Sequence, residues 1–469
     1  MKKLLLLILA FAISLSSCKK PDSGKDDEPY LKSIELDAES NALRVGVSVT
    51  TSKDCHYSII CWEQAQGKEK ACTTKIYSSA TGLHGAVKYL KPNTAYSLLV
   101  KVQEDGSESE VIDFTTTALP EDLPVYELIK STEGDKLDGY IFQCENSLPG
   151  YVTLCDYDGN VVWYDTYGKG IRTIFYDPAT GYLLMTIGLL PRDPSIDRLC
   201  EDLVIADLDG NIIMSKPSDS KFIEYVHHEF CITEDQKLII LANDVKQYDD
   251  RDCWGESFYV TDMQGNIEFS WNQWKEFNPD KDSWYSYDPS VNDYIHANSV
   301  TRDSNGDYYI AMNWITEVWK ISGKTGEVLY RFGEHGNVAL TGQPIAGNTV
   351  WNPEKHLEGG IHSVTVIEPD YLLFYNNGRQ TNAKISRGVF VRIDPVSKKG
   401  YFERIIDLPK PQFSANRSNV QILPGNRLLF CNTAAKRLCV TDMEGNILRT
   451  ISREDISYRA YWFPTDQLQ

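Results

Sequence analysis

Histidine is scarce in this sequence, with 8 among 469 residues. Positive charge is also in short supply: Lys and Arg total 47 against 66 Asp and Glu, a net of −19. No basic stripe offsets that balance, which excludes the electrostatic footprint of a nucleic-acid binder. The 11 cysteines form no Cys-x-x-Cys pair and no zinc-ligand spacing. Cys55, Cys61 and Cys72 lie close together, but an odd trio cannot pair completely, so most cysteines read as buried thiols. Long apolar runs are missing beyond Leu4 to Ile13, which is too short to span a bilayer as a mature helix.

That run has the layout of an export leader. Lys2 and Lys3 precede it, and Leu15-Ser16-Ser17-Cys18 closes it. The segment resembles a bacterial lipoprotein signal, which implies that residues 1–17 are removed and that Cys18 is lipidated. The expected product is an exported lipoprotein of the outer membrane, facing the periplasm or the cell surface. It would touch the membrane through its lipid anchor only. Residues 18–30 are polar, lack apolar periodicity and read as a flexible tether.

What is abundant points to β-structure. Aromatic residues are plentiful (10 Trp, 27 Tyr, 16 Phe), and Val, Ile, Thr and Tyr recur in short runs. Residues 31–118 read as a small β-sandwich. Apolar and polar residues alternate from Leu43 to Val49 and again from Tyr57 to Trp62. The stretch Leu90-Lys91-Pro92-Asn93-Thr94-Ala95-Tyr96 looks like the tyrosine corner of immunoglobulin and fibronectin type III sandwiches. Such a module could also serve as a homodimer surface. After a Pro-containing linker, residues 125–469 carry an internal repeat. Turn signals recur at Gly159, Gly210, Gly265, Gly326, Gly400 and Gly445, each between strand-like runs and 45 to 74 residues apart. Each reads as the outer hairpin of a four-stranded blade, so six markers predict a six-bladed β-propeller. The long intervals hold insertions near 270–295 and 333–358. The fold class is therefore all-β.

The rare histidines fall in register within that repeat. Four positions after His228, His296 and His362 stand Ile232, Val300 and Val366, each leading into the same turn. One slot in three successive repeats thus holds histidine. The first strand of a propeller blade lines the central channel, so the three imidazoles should converge at one mouth of it. A lone histidine there would read as a structural cap; three in register read as a site. His227, Asn298, Asn313, Asn376, Asn377, Arg379 and Arg417 fall near the same slot. Their cationic and amide character suits an anionic ligand. Tyr225, Tyr294, Trp314 and Tyr375 are near enough to stack on an aromatic ring or simply to fill blade cores. His335 and His356 read as loop residues of the second insertion.

The ordered segments His227-His228-Glu229-Phe230, His296-Ala297-Asn298-Ser299-Val300, His362, Leu372 to Gly378, Ser386-Arg387-Gly388-Val389 and Val420 to Asn426 resemble the bacterial arylsulfate sulfotransferases. The resemblance covers about residues 125–469. It implies an exported six-bladed propeller behind a β-sandwich, with no diffusible cofactor. It further implies that His362 attacks the sulfur of an aryl sulfate, leaving a sulfohistidine that a phenol discharges. His228, His296 and Asn298 match positions that hold sulfate oxygens. Asn313 stands where the family carries a sulfate-binding arginine, which leaves Arg379 or Arg417 to supply the charge. The family's Phe-Asp-Asn-Gly run is altered here to Phe374-Tyr375-Asn376-Asn377-Gly378.

Two other readings fit the same residues. Three converging histidines could hold iron or zinc, with Glu229 or Glu358 beside them. Alternatively the propeller is a diverged, non-catalytic module that binds a glycan or protein.

Overall fold

The computed structural model describes residues 28–188, 201–220, 222–248, 251–278, 295–333, 336–340, 360–379, 384–454 and 457–468. The leader, Cys18, Tyr294, His335, His356 and Glu358 lie outside the described residues. Among the described residues the chain is all-β, its only helices being short 3-10 turns.

Two sheets form the first unit. One holds Leu31–Asp37, Arg44–Thr51 and Gly85–Lys88; the other is built on His56–Glu63 and Ala95–Val102. Val45, Val47 and Val87 from the first share one core with Tyr57, Ile59, Leu98 and Val100 from the second. Each such buried side chain contributes about 1.5–3 kcal/mol. The Tyr96 hydroxyl accepts a hydrogen bond from the Lys91 N–H at 3.0 Å, tying the connecting turn to the strand that follows it.

Six further sheets make up the rest, antiparallel except where Ala339–Leu340 runs parallel to the outer strand of the fifth. Sheet I contains Gly139–Cys144, Tyr151–Cys155 and Val161–Thr166, and is completed by Tyr461–Pro464 from the far end of the chain. Sheets II, III and IV begin at Gly170–Asp177, Val226–Ile232 and Ala297–Arg302, and each adds three consecutive strands outward. Sheets V and VI begin at Ile361–Glu368 and Asn419–Leu423. Sheet VI takes Tyr126–Ser131 as its outermost strand. The leading strands of sheets II to VI touch one another in turn, and those of II and VI meet the two inner strands of sheet I. The six sheets thus form a closed ring, sealed at both edges of its seam by strands distant in sequence.

The repeated turns join the third and fourth strands of each sheet. In four of them an aspartate organises the loop. Asp156 accepts from the N–H groups of Asp158 and Asn160 (both 2.9 Å) and from Asn160 Nδ2 (2.8 Å). Asp207, Asp262 and Asp442 repeat the pattern. The fourth residue is glycine at φ 96, 95, 94 and 86°, a left-handed conformation that glycine adopts without strain. Near Gly400 the left-handed residue is instead Lys398, at φ 50°.

The first unit is fastened to sheets I and II. Lys88 and Lys75 reach Asp209 at 2.5 and 2.9 Å, and Arg44 reaches Asp165 at 2.7 Å. Asn41 Nδ2 donates to the Tyr164 carbonyl at 2.8 Å, and the His84 N–H donates to Asn211 Oδ1 at 3.1 Å.

Candidate active site

A cavity of about 180 Å³ opens at one end of the ring, walled chiefly by the points where the leading strands start. Every sheet contributes there: Tyr458 (sheet I), Arg172 (II), His228 (III), His296 (IV), His362 (V) and Arg417 (VI). The backbone is irregular at the same level in successive sheets. Pairing slips between Ile171 and Thr173, Val226 and Phe230, Ala297 and Ser299, and His362 and Thr365. His228, His296, Ser363 and Arg417 have φ of 59, 52, 52 and 55°. Bulges of this kind re-aim side chains and cluster beside functional sites.

Beneath the cavity a belt of polar contacts holds these strands in place. Arg459 Nη1 lies 2.8 Å from both Glu229 oxygens, and its Nη2 donates to the Asn298 carbonyl at 2.6 Å. Asn298 Nδ2 donates to the Ile361 carbonyl at 2.7 Å, and Ser363 Oγ to the Ser418 carbonyl at 3.1 Å. Asn419 exchanges two hydrogen bonds with Ala460. The belt thereby links sheets I, III, IV, V and VI.

The protonation of His362 follows from its neighbours. Asn377 Nδ2 gives its hydrogens to the carbonyls of Ser414 (2.9 Å) and Arg417 (3.1 Å). Its Oδ1 therefore faces His362 Nδ1, at 2.6 Å, and can only accept. His362 Nδ1 must carry the proton, which leaves Nε2 with its electron pair. Asn313 Nδ2 also lies 3.1 Å from Nδ1, but a protonated Nδ1 cannot accept, so that amide hydrogen goes to the Ile361 carbonyl at 3.2 Å. Burial holds His362 well below the usual histidine range, outweighing the Asn377 contact, and Arg379 and His296 push the same way. Burial also lowers His228, helped by His227, His296, His362 and Arg172. The residue before Ile361 is Gly360, at φ +89°. A Cβ there would stand 2.8 Å from Asn313 Nδ2 and 3.4 Å from Arg379 Cζ.

Of the residues singled out by sequence, His228, His296, His362, Asn313, Arg379 and Arg417 line this one cavity. Both arginines considered as replacements for the charge absent at Asn313 are on the wall. Asn298 is not; it is fully buried in the belt. In a regular strand Asn298 would share a face with His296, but the slip between Ala297 and Ser299 breaks that alternation. Of the aromatics, Trp314 reaches the wall, packed between His296 (4.8 Å) and Arg379 (4.5 Å). Tyr375 instead donates to Asn432 Oδ1 in the core between sheets V and VI, and Tyr225 packs on Trp254. Glu229, considered as a metal neighbour, is committed to Arg459. Sequence reasoning missed Arg172, Glu201 and Tyr458. Arg172 Nε donates to Glu201 Oε1 at 3.1 Å.

The assembled chemistry is a neutral imidazole with an available electron pair, in a small cavity rich in arginine, imidazole and amide groups. Such a lining favours a compact tetrahedral anion.

Among curated proteins none matches the chain. Solved structures similar in chain path include a protein of unknown function from Bacteroides caccae (11% identity, TM-score 0.44, covering 70% of this chain and 99% of that one). Others are the WD40 β-propeller domain of Doa1 (11%, 0.37, 71% and 89%) and virginiamycin B lyase from Staphylococcus aureus (13%, 0.32, 61% and 70%). The arylsulfotransferase (ASST) family profile matches residues 122–458, which takes in the whole ring apart from its last strand and every residue of the cavity wall. The chain is a member of the arylsulfotransferase family.

Proposed function

We propose that this protein moves a sulfuryl group from an aryl sulfate to a phenol, with His362 as the covalent carrier. The observation that carries this reading is the locked tautomer of His362. Asn377 fixes the proton on Nδ1, so Nε2 meets an incoming sulfate as a nucleophile without first losing a proton. His296, Arg379 and Arg417 would hold the three sulfate oxygens as the sulfur is attacked. Two successive transfers through one histidine replace a direct encounter of donor and acceptor. On this reading the ring is a six-bladed β-propeller and the first unit an immunoglobulin-like sandwich. The protein is then an exported lipoprotein held at the outer membrane through Cys18.

The test is turnover of a chromogenic aryl sulfate in the presence of a phenol. Wild type should release the chromophore, and His362→Asn should fall to background. Quenching without acceptor should leave an acid-labile gain of one sulfuryl group on the peptide containing His362. No donor turnover across a broad set of phenols, or an unchanged rate in the variant, would refute the proposal.

A further inference from the structure

His228 is the one cavity histidine preceded by another histidine. The two Nδ1 atoms lie 2.7 Å apart, so a single proton sits between them, donated by one ring to the other. On its far side, His227 Nε2 lies 3.2 Å from Glu256 Oε2. Glu256 is 1% exposed, and its N–H is held by Gln273 Oε1 at 2.7 Å. Among the described residues, His227 is the only cationic partner of that carboxylate. A carboxylate so deeply buried needs a cation or a proton donor; His227 Nε2 is the cationic atom within reach, and neither it nor the two Glu256 oxygens has another hydrogen-bond partner. The contact is at ion-pair range; catalytic contacts commonly tighten only once a ligand is bound.

We propose that Glu256 and His227 are positioning residues that make His228 the acid and base of the transfer, a role that rests on the sulfuryl-transfer reading above. Glu256 takes the N–H of His227 Nε2, and His227 Nδ1–H donates to His228 Nδ1. His228 Nε2 then carries a hydrogen on the cavity side. In the first transfer, the electron pair of His362 Nε2 forms the N–S bond. The S–O bond to the aryl group breaks, and its electron pair leaves on the phenolate oxygen. That oxygen takes the hydrogen of His228 Nε2 while the shared proton moves from His227 Nδ1 to His228 Nδ1. The donor's negative charge is thereby passed to the Glu256–His227–His228 chain. In the second transfer the acceptor phenol returns its proton to His228 Nε2, and the shared proton moves back. The phenol oxygen bonds to sulfur, and the N–S electron pair returns to His362.

Donors with different leaving groups test this. Phenyl sulfate needs its departing oxygen protonated; 4-nitrophenyl sulfate has far less need. Glu256→Gln should slow phenyl sulfate about 100-fold and 4-nitrophenyl sulfate less than about threefold, the first being the low end of a general-acid contribution. His227→Asn should give the same split. An equal loss on both donors would reduce the pair to a structural role and overturn the proposal. Nitrogen NMR of histidine-labelled wild type, without substrate, gives a readout independent of turnover. It should find His227 doubly protonated and His228 protonated at Nε2. A neutral His227 beside a bare His228 Nε2 would overturn the relay even in an active enzyme. Failure of wild type on both donors would instead strike the sulfuryl-transfer reading.

Discussion

The identity of one side-chain atom, Asn377 Oδ1, decides how His362 behaves with pH. An amide oxygen accepts the Nδ1 hydrogen but adds no negative charge, so burial dominates and the ring stays neutral in mild acid. A carboxylate in its place would stabilise the imidazolium and raise the histidine. The sign follows directly. Below the raised value Nε2 is protonated and cannot attack, so activity is lost as pH falls. Asn377→Asp should lose its rate of first donor consumption between about pH 8 and 6, a window in which wild type stays flat. Rapid-quench measurements across that range check it, and parallel profiles for the two proteins would contradict it.

At the scale of the strand, the bulges explain both what was legible in the sequence and what was not. The aspartate-to-glycine turns are local signals, so the count of sheets could be read from their recurrence. The histidine register was legible because His228, His296 and His362 are the same rare residue in the same slot. Arg172, Arg417 and Tyr458 line the cavity from the other sheets, but none is a histidine, so the recurrence does not reach them. Tyr458 was hidden further because sheet I borrows its innermost strand from the end of the chain. Asn298, taken from the family resemblance, lies off the wall because the bulge before Ser299 breaks its alternation with His296. Gly360 shows how tightly the leading strand of sheet V must approach its neighbours. Gly360→Ala should leave the unfolding midpoint within a few degrees but cut donor turnover about 100-fold, the scale of a 1 Å misplacement of reacting groups. A loss confined to stability would place Gly360 outside the site's geometry.

Over the whole molecule, one buried ion pair joins sheets that are far apart in sequence. Arg459 is 2% exposed and Glu229 5%, and the pair spans sheets I and III beneath the cavity. Burial raises the Glu229 carboxyl, against the pull of Arg459. Removing one partner strands the other's charge. Arg459→Leu should therefore cost about 3–5 kcal/mol, whereas the double variant Arg459→Leu/Glu229→Leu should recover a large part of the loss. Urea unfolding of the two variants measures the difference, and equal destabilisation would show that the pair's charge is not what matters.

The seam of the ring has a consequence for timing. All three cavity histidines precede the sixth sheet in the chain, whereas Tyr458, Arg459 and the strand Tyr461–Pro464 follow it and are synthesised later. A nascent or truncated chain carries the nucleophile but neither the floor nor the sixth wall beneath and beside it. The chemistry is thus withheld until that strand closes the ring, and a chain cut before Tyr458 would be silent although it still holds every histidine.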